Sequence, residues 1–272
     1  MTDIPGKIIV VTGGASGIGR LISIKLAQLG GRVVIYDLDP EKINEVVEGI
    51  RTTGREAHGF VCDVSDRVMV YETAKKVRSE IGSADILINN AGVISGKPLM
   101  EMPDEEIETT MKVNVLALYW TTKSFLPDML EKNSGHIVTM ASAAGLLGVS
   151  RQTDYSASKH AAVGFTESLR VELKKSGHTG IKTTIIEPFY VDTGMFEGVR
   201  VKPGVGLPIL KPDYVAKQTV KAIQQNKQEV PLPPRIGLTP VLRFLPTDLF
   251  DRVMDLLGVN DSMEKFVGRG KQ

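Results

Sequence analysis

A single cysteine, Cys62, in 272 residues excludes any disulfide within the chain and fits a reducing compartment. That thiol is read as part of the core rather than as a reactive group. Neither sign of charge is in excess: 33 Lys and Arg stand against 32 Asp and Glu, interspersed, for a formal charge of +1. Such a surface offers no footprint for nucleic acid or a strongly anionic membrane, so the expected partners are small molecules and further copies of the chain, as a homodimer or homotetramer. The four histidines, His58, His136, His160 and His178, are scattered without metal-ligand spacing, and no metal chemistry is assigned to them. Long apolar runs are missing as well. Nothing approaches the roughly 18 residues a membrane-spanning helix requires. The opening MTDIPGKIIVVTGG lacks the basic n-region and long h-region of a secretory signal. A soluble, cytoplasmic protein is the expectation. No repeat or low-complexity linker divides it, so residues 1–272 are read as one domain with a large core.

What is present is alternation. Short β-branched runs, KIIVVT, RVVIYD, AHGFVCD, DILINN, HIVTMAS and KTTIIEP, are separated by longer segments with helical apolar spacing. This pattern predicts an α/β fold, a doubly wound parallel sheet with helices on both faces. Ligands bind such sheets outside the carboxyl ends of the strands. Those ends carry Gly13 to Gly19, Asp37, Asp63, Asn89 to Gly92, Ser142 and Pro188 to Thr193.

After the first run, TGGASGIGR places Gly13, Gly17 and Gly19 where a strand turns into a helix. Glycines there permit a tight turn and close approach of backbone to a pyrophosphate, whose charge sits at the helix N-terminus. The spacing is Gly-x-x-x-Gly-x-Gly, not Gly-x-Gly-x-x-Gly. At the end of the second run, 18 residues beyond Gly19, Asp37 can accept both hydroxyls of an adenosine ribose. Its charge repels a 2′-phosphate, and neither Ser16 nor Leu38 supplies a compensating cation, while Arg20 opens a helix and is expected to face solvent. NAD(H) is therefore expected in preference to NADP(H).

Three tyrosines precede a lysine by four residues: Tyr71 and Lys75, Tyr119 and Lys123, Tyr155 and Lys159. The first two pairs fall inside crossover helices. Only Tyr155 follows a strand end that carries a hydroxyl, Ser142; the equivalent positions before the others are His58 and Glu106. A phenol acting as a base near neutrality must be shifted down by roughly 2 to 3 units. Lys159, on the same helical face, would supply about 3 kcal/mol of that by attraction across 5 to 6 Å at an effective dielectric near 20.

With TGGASGIG, NNAG at 89–92, Asn114, Ser142 and YSASK in this order, the chain resembles the short-chain dehydrogenase/reductase family over nearly its whole length. VNVLALYWTTKSFLP, GHIVTMASAAG and KTTIIEPFYVDTGMF resemble the branch that contains 17-beta-hydroxysteroid dehydrogenase types 11 and 13 and the epidermal retinol dehydrogenases. That resemblance implies a Rossmann-like domain of about seven strands and NAD-dependent interconversion of a lipophilic, retinoid- or steroid-like alcohol and its carbonyl. It implies that Tyr155 moves the hydroxyl proton, Ser142 steadies the substrate oxygen, and Lys159 also binds the nicotinamide ribose. Asn114 would hold a water linking Lys159 to solvent. Gly13, Ser16, Gly17, Ile18, Gly19, Asp37, Asn90, Ala91 and Gly92 would cradle the cofactor, with Asp63 and Val64 at the adenine and Thr193 at the carboxamide. Two features depart from the pattern: Pro188-Phe189 stands where the wider family has Pro-Gly, and the branch's N-terminal membrane anchor is not among these residues.

The Gly- and Pro-rich connection 191–210 is long enough for a lid, and Met195, Phe196, Val199, Leu207 and Ile209 make it apolar; Met195 and Phe196 are candidate substrate contacts. In the tail, 236–272, Leu238, Val241, Leu242 and Leu245 form one helical stripe and Leu249, Phe250, Val253, Met254 and Leu257 a second. These faces either pack on protein or rest peripherally on a membrane or lipid-droplet surface. The rival functions are an acyl-carrier-protein ketoreductase, which would usually prefer NADP(H), and a nucleotide-sensing regulator without turnover, against which Ser142, Tyr155 and Lys159 argue.

Overall fold

The computed structural model describes residues 1–204 and 207–268. Seven parallel strands form one sheet in the order β3-β2-β1-β4-β5-β6-β7. They are β1 (Ile8–Thr12), β2 (Arg32–Asp37), β3 (Ala57–Val61), β4 (Ile86–Asn89), β5 (Gly135–Met140), β6 (Ile181–Pro188) and β7 (Glu229–Leu232). A parallel sheet covered on both faces needs apolar residues on both, which is why β1 reads IIVVT and is buried throughout. On one face, α1 (Gly17–Gln28), α2 (Pro40–Arg51) and α7 (Pro212–Gln225) pack over Ile9, Val11, Val33, Ile35 and Ile186. On the other, α3 (Arg67–Glu80), α5 (Ala117–Lys132) and α6 (Thr153–Lys175) cover Val10, Val34, Leu87 and Ile137. Cys62 is buried in this second layer, and desolvation pushes its thiol up to about 11.

Local chemistry fixes where the helices begin. Asp39 accepts from the amides of Glu41 and Lys42 at the start of α2, where Pro40 takes the first turn, and Asp66 does the same for Val68 and Met69 at the start of α3. Between α4 (Asp104–Met111) and α5, residues Lys112–Leu116 form a π-helical turn that carries Asn114. The winding reverses between β1 and β4, and a doubly wound sheet opens its ligand crevice at that switch point, outside the strands' carboxyl ends.

Six strands lie where β-branched runs predict them; β7 does not announce itself. It is a four-residue edge strand, EVPL, and its Pro231 is tolerated because an edge position need not donate on both sides. The tail also departs from expectation. In place of the first amphipathic helix there are a 3₁₀ turn (Pro234–Leu238) and a four-residue helix α8 (Thr239–Leu242), followed by α9 (Thr247–Leu256), which carries most of the second stripe. Leu242, Phe250, Val253 and Leu257 pack with Leu147, Met254 and Val259, whereas Leu238 and Val241 are 59% and 63% exposed. One helical turn after a 3₁₀ turn cannot hold the first stripe on one face. The tail residues 269–272, and Val205 and Gly206 of the 191–210 connection, lie outside the described residues.

Candidate active site

A cleft of about 220 Å³ opens at the switch point. Gly13, Ser16, Gly17, Ile18, Asp37, Asp63, Val64, Asn90, Ala91, Gly92 and Thr193 line it, together with Ser142, Tyr155, Lys159, Met195 and Phe196. The structure thus gathers nearly all the sequence candidates around one space. Gly13 and Gly17 hold left-handed φ angles of 62° and 52°, a region that favours glycine. Gly19 does not line the cleft. A Cβ there would run into the Gly13 carbonyl oxygen and the Asn90 amide, so its small size serves packing of helix against loop.

The cradle is stiffened by a residue absent from the sequence candidates, Thr12. Its hydroxyl accepts from the Asn90 and Ala91 amides at 3.0 and 3.1 Å and donates to the Ile88 carbonyl. Asn90 Nδ2 returns the favour to Thr12 and Gly13 carbonyls, tying the ends of β1 and β4 together. Thr12 escaped notice because a threonine ending a strand is an ordinary strand residue. At the far end of the cleft, Asp37 accepts from Ala15 N and Leu38 N at 2.9 and 2.8 Å, one per carboxylate oxygen. Each oxygen keeps lone pairs for further donors. Arg20 pairs with Glu45 and is not part of the lining.

Around Tyr155 the geometry is tight. Lys159 is buried with Nζ 5.5 Å from the Tyr155 ring centroid, donating to the Met140 carbonyl at 2.8 Å. Gly92 comes close to both Asn114 and Lys159: a Cβ there would lie 3.4 Å from Asn114 Oδ1 and 3.5 Å from Lys159 Nζ. Asn114 itself is held by the Val93 backbone on both sides and donates to Ser158 Oγ at 2.9 Å. It stands behind the cleft wall rather than in the lining. Ser142 Oγ accepts from Ala144 N and reaches the Pro188 carbonyl at 3.3 Å.

The electrostatics correct one expectation. Lys159 was to lower the Tyr155 phenol, yet the phenol is raised above its ordinary value, burial being the largest cause, with Tyr190 and Asp154 adding and a hydrogen bond to Ser142 opposing. Burial also lowers the Lys159 ammonium to about 8. Burial is thus the largest influence on both groups. The other two tyrosine pairs are placed elsewhere. Tyr71 on α3 and Tyr119 on α5 do not line the cleft, and Lys75 and Lys123 are exposed. His160 is half-buried outside the cleft lining, its Nδ1 at the Ser156 carbonyl and its Nε2 3.4 Å from Arg243 of the tail.

A glycine-turned crevice with an acid closing its far end, and a serine, tyrosine and lysine converging at its near end, define a nucleotide-dependent oxidoreductase site. The chain belongs to the short-chain dehydrogenase/reductase family: the family model for short chain dehydrogenases matches residues 7–203. Among characterised relatives, Retinol dehydrogenase 10-B of Danio rerio is 40% identical, covering 99% of this chain and 87% of its own length. Epidermal retinol dehydrogenase 2 of Homo sapiens is also 40% identical, with coverage of 99% and 88%. A short-chain dehydrogenase/reductase from Burkholderia phymatum, solved with NAD, superposes with a TM-score of 0.82 at 30% identity over 92% of this chain and 96% of that one. A metagenomic short-chain oxidoreductase, solved with NADP, gives 0.71 at 31% identity over 85% and 96%.

Proposed function

We propose that the protein oxidises a lipophilic, retinoid-like alcohol to its carbonyl, and runs the reverse, with NAD(H) as cofactor. The convergence of Ser142, Tyr155 and Lys159 on a cleft whose other end is Asp37 carries this reading. The cradle fits a dinucleotide: two left-handed glycines leave backbone exposed to a pyrophosphate, and Asp37 retains acceptor capacity for a ribose. A bound nicotinamide would supply the hydride acceptor and, when oxidised, a positive charge that favours an ionised phenol. Tyr155 takes the alcohol proton; Ser142 holds the same oxygen; Lys159 lowers the phenol's cost of ionising and bonds the ribose. Asn114 holds the relay that returns the proton to solvent. Residues 191–210 act as the lid, with Met195 and Phe196 against the substrate. A panel of retinoid, steroid and acyl-thioester substrates assayed with both cofactors tests the reading, and turnover of acyl thioesters alone would overturn it.

Cofactor choice rests on Asp37. Replacing it by Ala narrows the NAD(H) preference in kcat/KM by about tenfold or more, since both the ribose hydrogen bonds and the repulsion of a 2′-phosphate are lost, each worth on the order of 1 kcal/mol. A wild-type preference for NADP(H) would defeat this.

The tail bears on where such a substrate is met. No helix among the described residues is long and apolar enough to cross a membrane. Leu238, Val241, Phe244 and Leu249 nevertheless face outward, Phe244 at 90% exposure. We read them as a weak, peripheral lipid contact that depends on apolar insertion and is therefore largely insensitive to salt. Flotation with neutral liposomes checks it: the double change Val241→Glu and Phe244→Glu abolishes flotation of the intact protein, and equal flotation of both proteins, or none, would leave the tail as packing.

A further inference from the structure

Beside the Ser142 and Tyr155 side chains the cleft has a small annex of about 20 Å³, bounded among others by Gln152, Phe189, Tyr190 and Phe196. That is room for little more than one water molecule or one methyl group. Its wall is immobilised from three distant parts of the chain. The Tyr190 ring lies edge-on to Phe189 and Phe196 at 4.6 and 5.1 Å, and Phe196 in turn lies edge-on to Tyr155 at 5.9 Å.

The Tyr190 hydroxyl is buried and fully partnered. Gln152 Nε2 donates to it at 3.0 Å, and Ser262 Oγ lies 2.7 Å away. Ser262 spends its own proton on the Val259 carbonyl, so Tyr190 donates to Ser262 and accepts from Gln152. Gln152 immediately precedes the helix that carries Tyr155. Ser262 belongs to the carboxyl-terminal segment, whose backbone is bonded to the 191–210 connection: Arg200 N donates to the Ser262 carbonyl and Val267 N to the Glu197 carbonyl, at 3.1 and 2.9 Å. Tyr190 cannot swing aside without breaking two buried hydrogen bonds.

The alcohol's geometry gives this wall a consequence. With its oxygen held by Ser142 and Tyr155 and one hydrogen departing as hydride, the carbinol carbon keeps two further substituents. The open cleft offers room for one of them, and the annex beside Ser142 and Tyr155 is the small space left for the other.

We propose that Tyr190, locked by Gln152 and Ser262, determines substrate specificity by closing the annex, so that the site takes long apolar primary alcohols and their aldehydes and rejects secondary alcohols whose carbinol carbon bears two large arms. The proposal rests on the dehydrogenase reading above. It places a ring alcohol of the steroid kind outside the preferred substrates of the wild-type chain.

The test is a series of equal apolar content, 1-, 2- and 4-decanol, oxidised by the full-length protein with NAD. Wild-type kcat/KM falls modestly from 1- to 2-decanol and by at least about tenfold to 4-decanol, the scale on which a filled pocket rejects extra methylenes. Tyr190→Ala raises the ratio of 4-decanol to 1-decanol by about tenfold or more, with NADH binding, read by nicotinamide fluorescence, as the control for an intact fold. Ala144→Val, which narrows the annex at another of its lining residues, lowers the ratio of 2-decanol to 1-decanol by about fivefold and keeps the question answerable should Tyr190→Ala not fold. Wild-type protein that oxidises 4-decanol as well as 1-decanol, or ratios that neither variant moves, would overturn the proposal. Absence of turnover with every alcohol and either cofactor would instead overturn the dehydrogenase reading beneath it.

Discussion

Tyr155→Phe removes nearly all alcohol oxidation, a loss of about a thousandfold or more in kcat/KM, which lies within the range a positioned proton-transfer group contributes. The change deletes one oxygen and keeps the ring, so the edge-on contact with Phe196 at 5.9 Å survives and NADH binding stays near wild type. Tyr71→Phe and Tyr119→Phe keep most of the activity, because their hydroxyls do not line the cleft. Equal losses from all three would refute the choice among the tyrosine pairs. The same phenol sets the pH dependence. Burial raises it, and oxidation requires it ionised, so kcat/KM for oxidation climbs with pH on the alkaline side of neutrality. Carbonyl reduction needs the proton in place and does not share that rise. A flat oxidation profile between pH 6 and 10 would contradict this assignment.

Legibility in the sequence followed the range of the forces involved. Strand ends were readable because burial on both faces demands unbroken β-branched runs, and a doubly wound sheet then dictates where a ligand goes. Gly13, Gly17, Asp37, Ser142, Tyr155 and Lys159 were found in this way, and all of them line one cleft. Strand β7 was hidden by its shortness and by Pro231, which only an edge strand accommodates. The tail's first stripe failed because helical periodicity over 238–245 presupposes a continuous helix, whereas the chain makes a 3₁₀ turn and then four helical residues. Thr12 and Tyr190 were unreadable for a different reason. Each matters through partners more than 35 residues away in sequence, and no local pattern encodes such a meeting. The direction of the Tyr155 shift is not legible in sequence, because spacing reveals the distance to Lys159 and says nothing of how much water both groups lose.

Glu187→Gln stabilises the protein, and does so more as pH rises. The Glu187 side chain, on β6, is fully buried, and neither of its oxygens meets a donor among the described residues. Its neighbours are two further carboxylates, Glu229 and Glu167. Desolvation first, and then repulsion by Glu229, push its pKa up to about 8 from an ordinary 4.5. Below pH 4.5 the folded and unfolded chains both hold the proton, and the residue is neutral toward stability. Between 4.5 and 8 the unfolded chain releases a proton that the folded chain keeps, so stability falls as pH rises. Above 8 the folded chain ionises too and the whole penalty, on the order of a few kcal/mol, is in force. Glutamine keeps the shape, cannot ionise, and offers its amide protons to Glu229. Urea unfolding of both proteins at pH 4, 7 and 9 therefore shows coincident curves at the lowest pH and a gap that widens upward. Such a gap at every pH alike would mean that the gain comes from packing rather than from the proton, and a less stable variant at pH 9 would show that the carboxylate is ionised and satisfied in the folded chain.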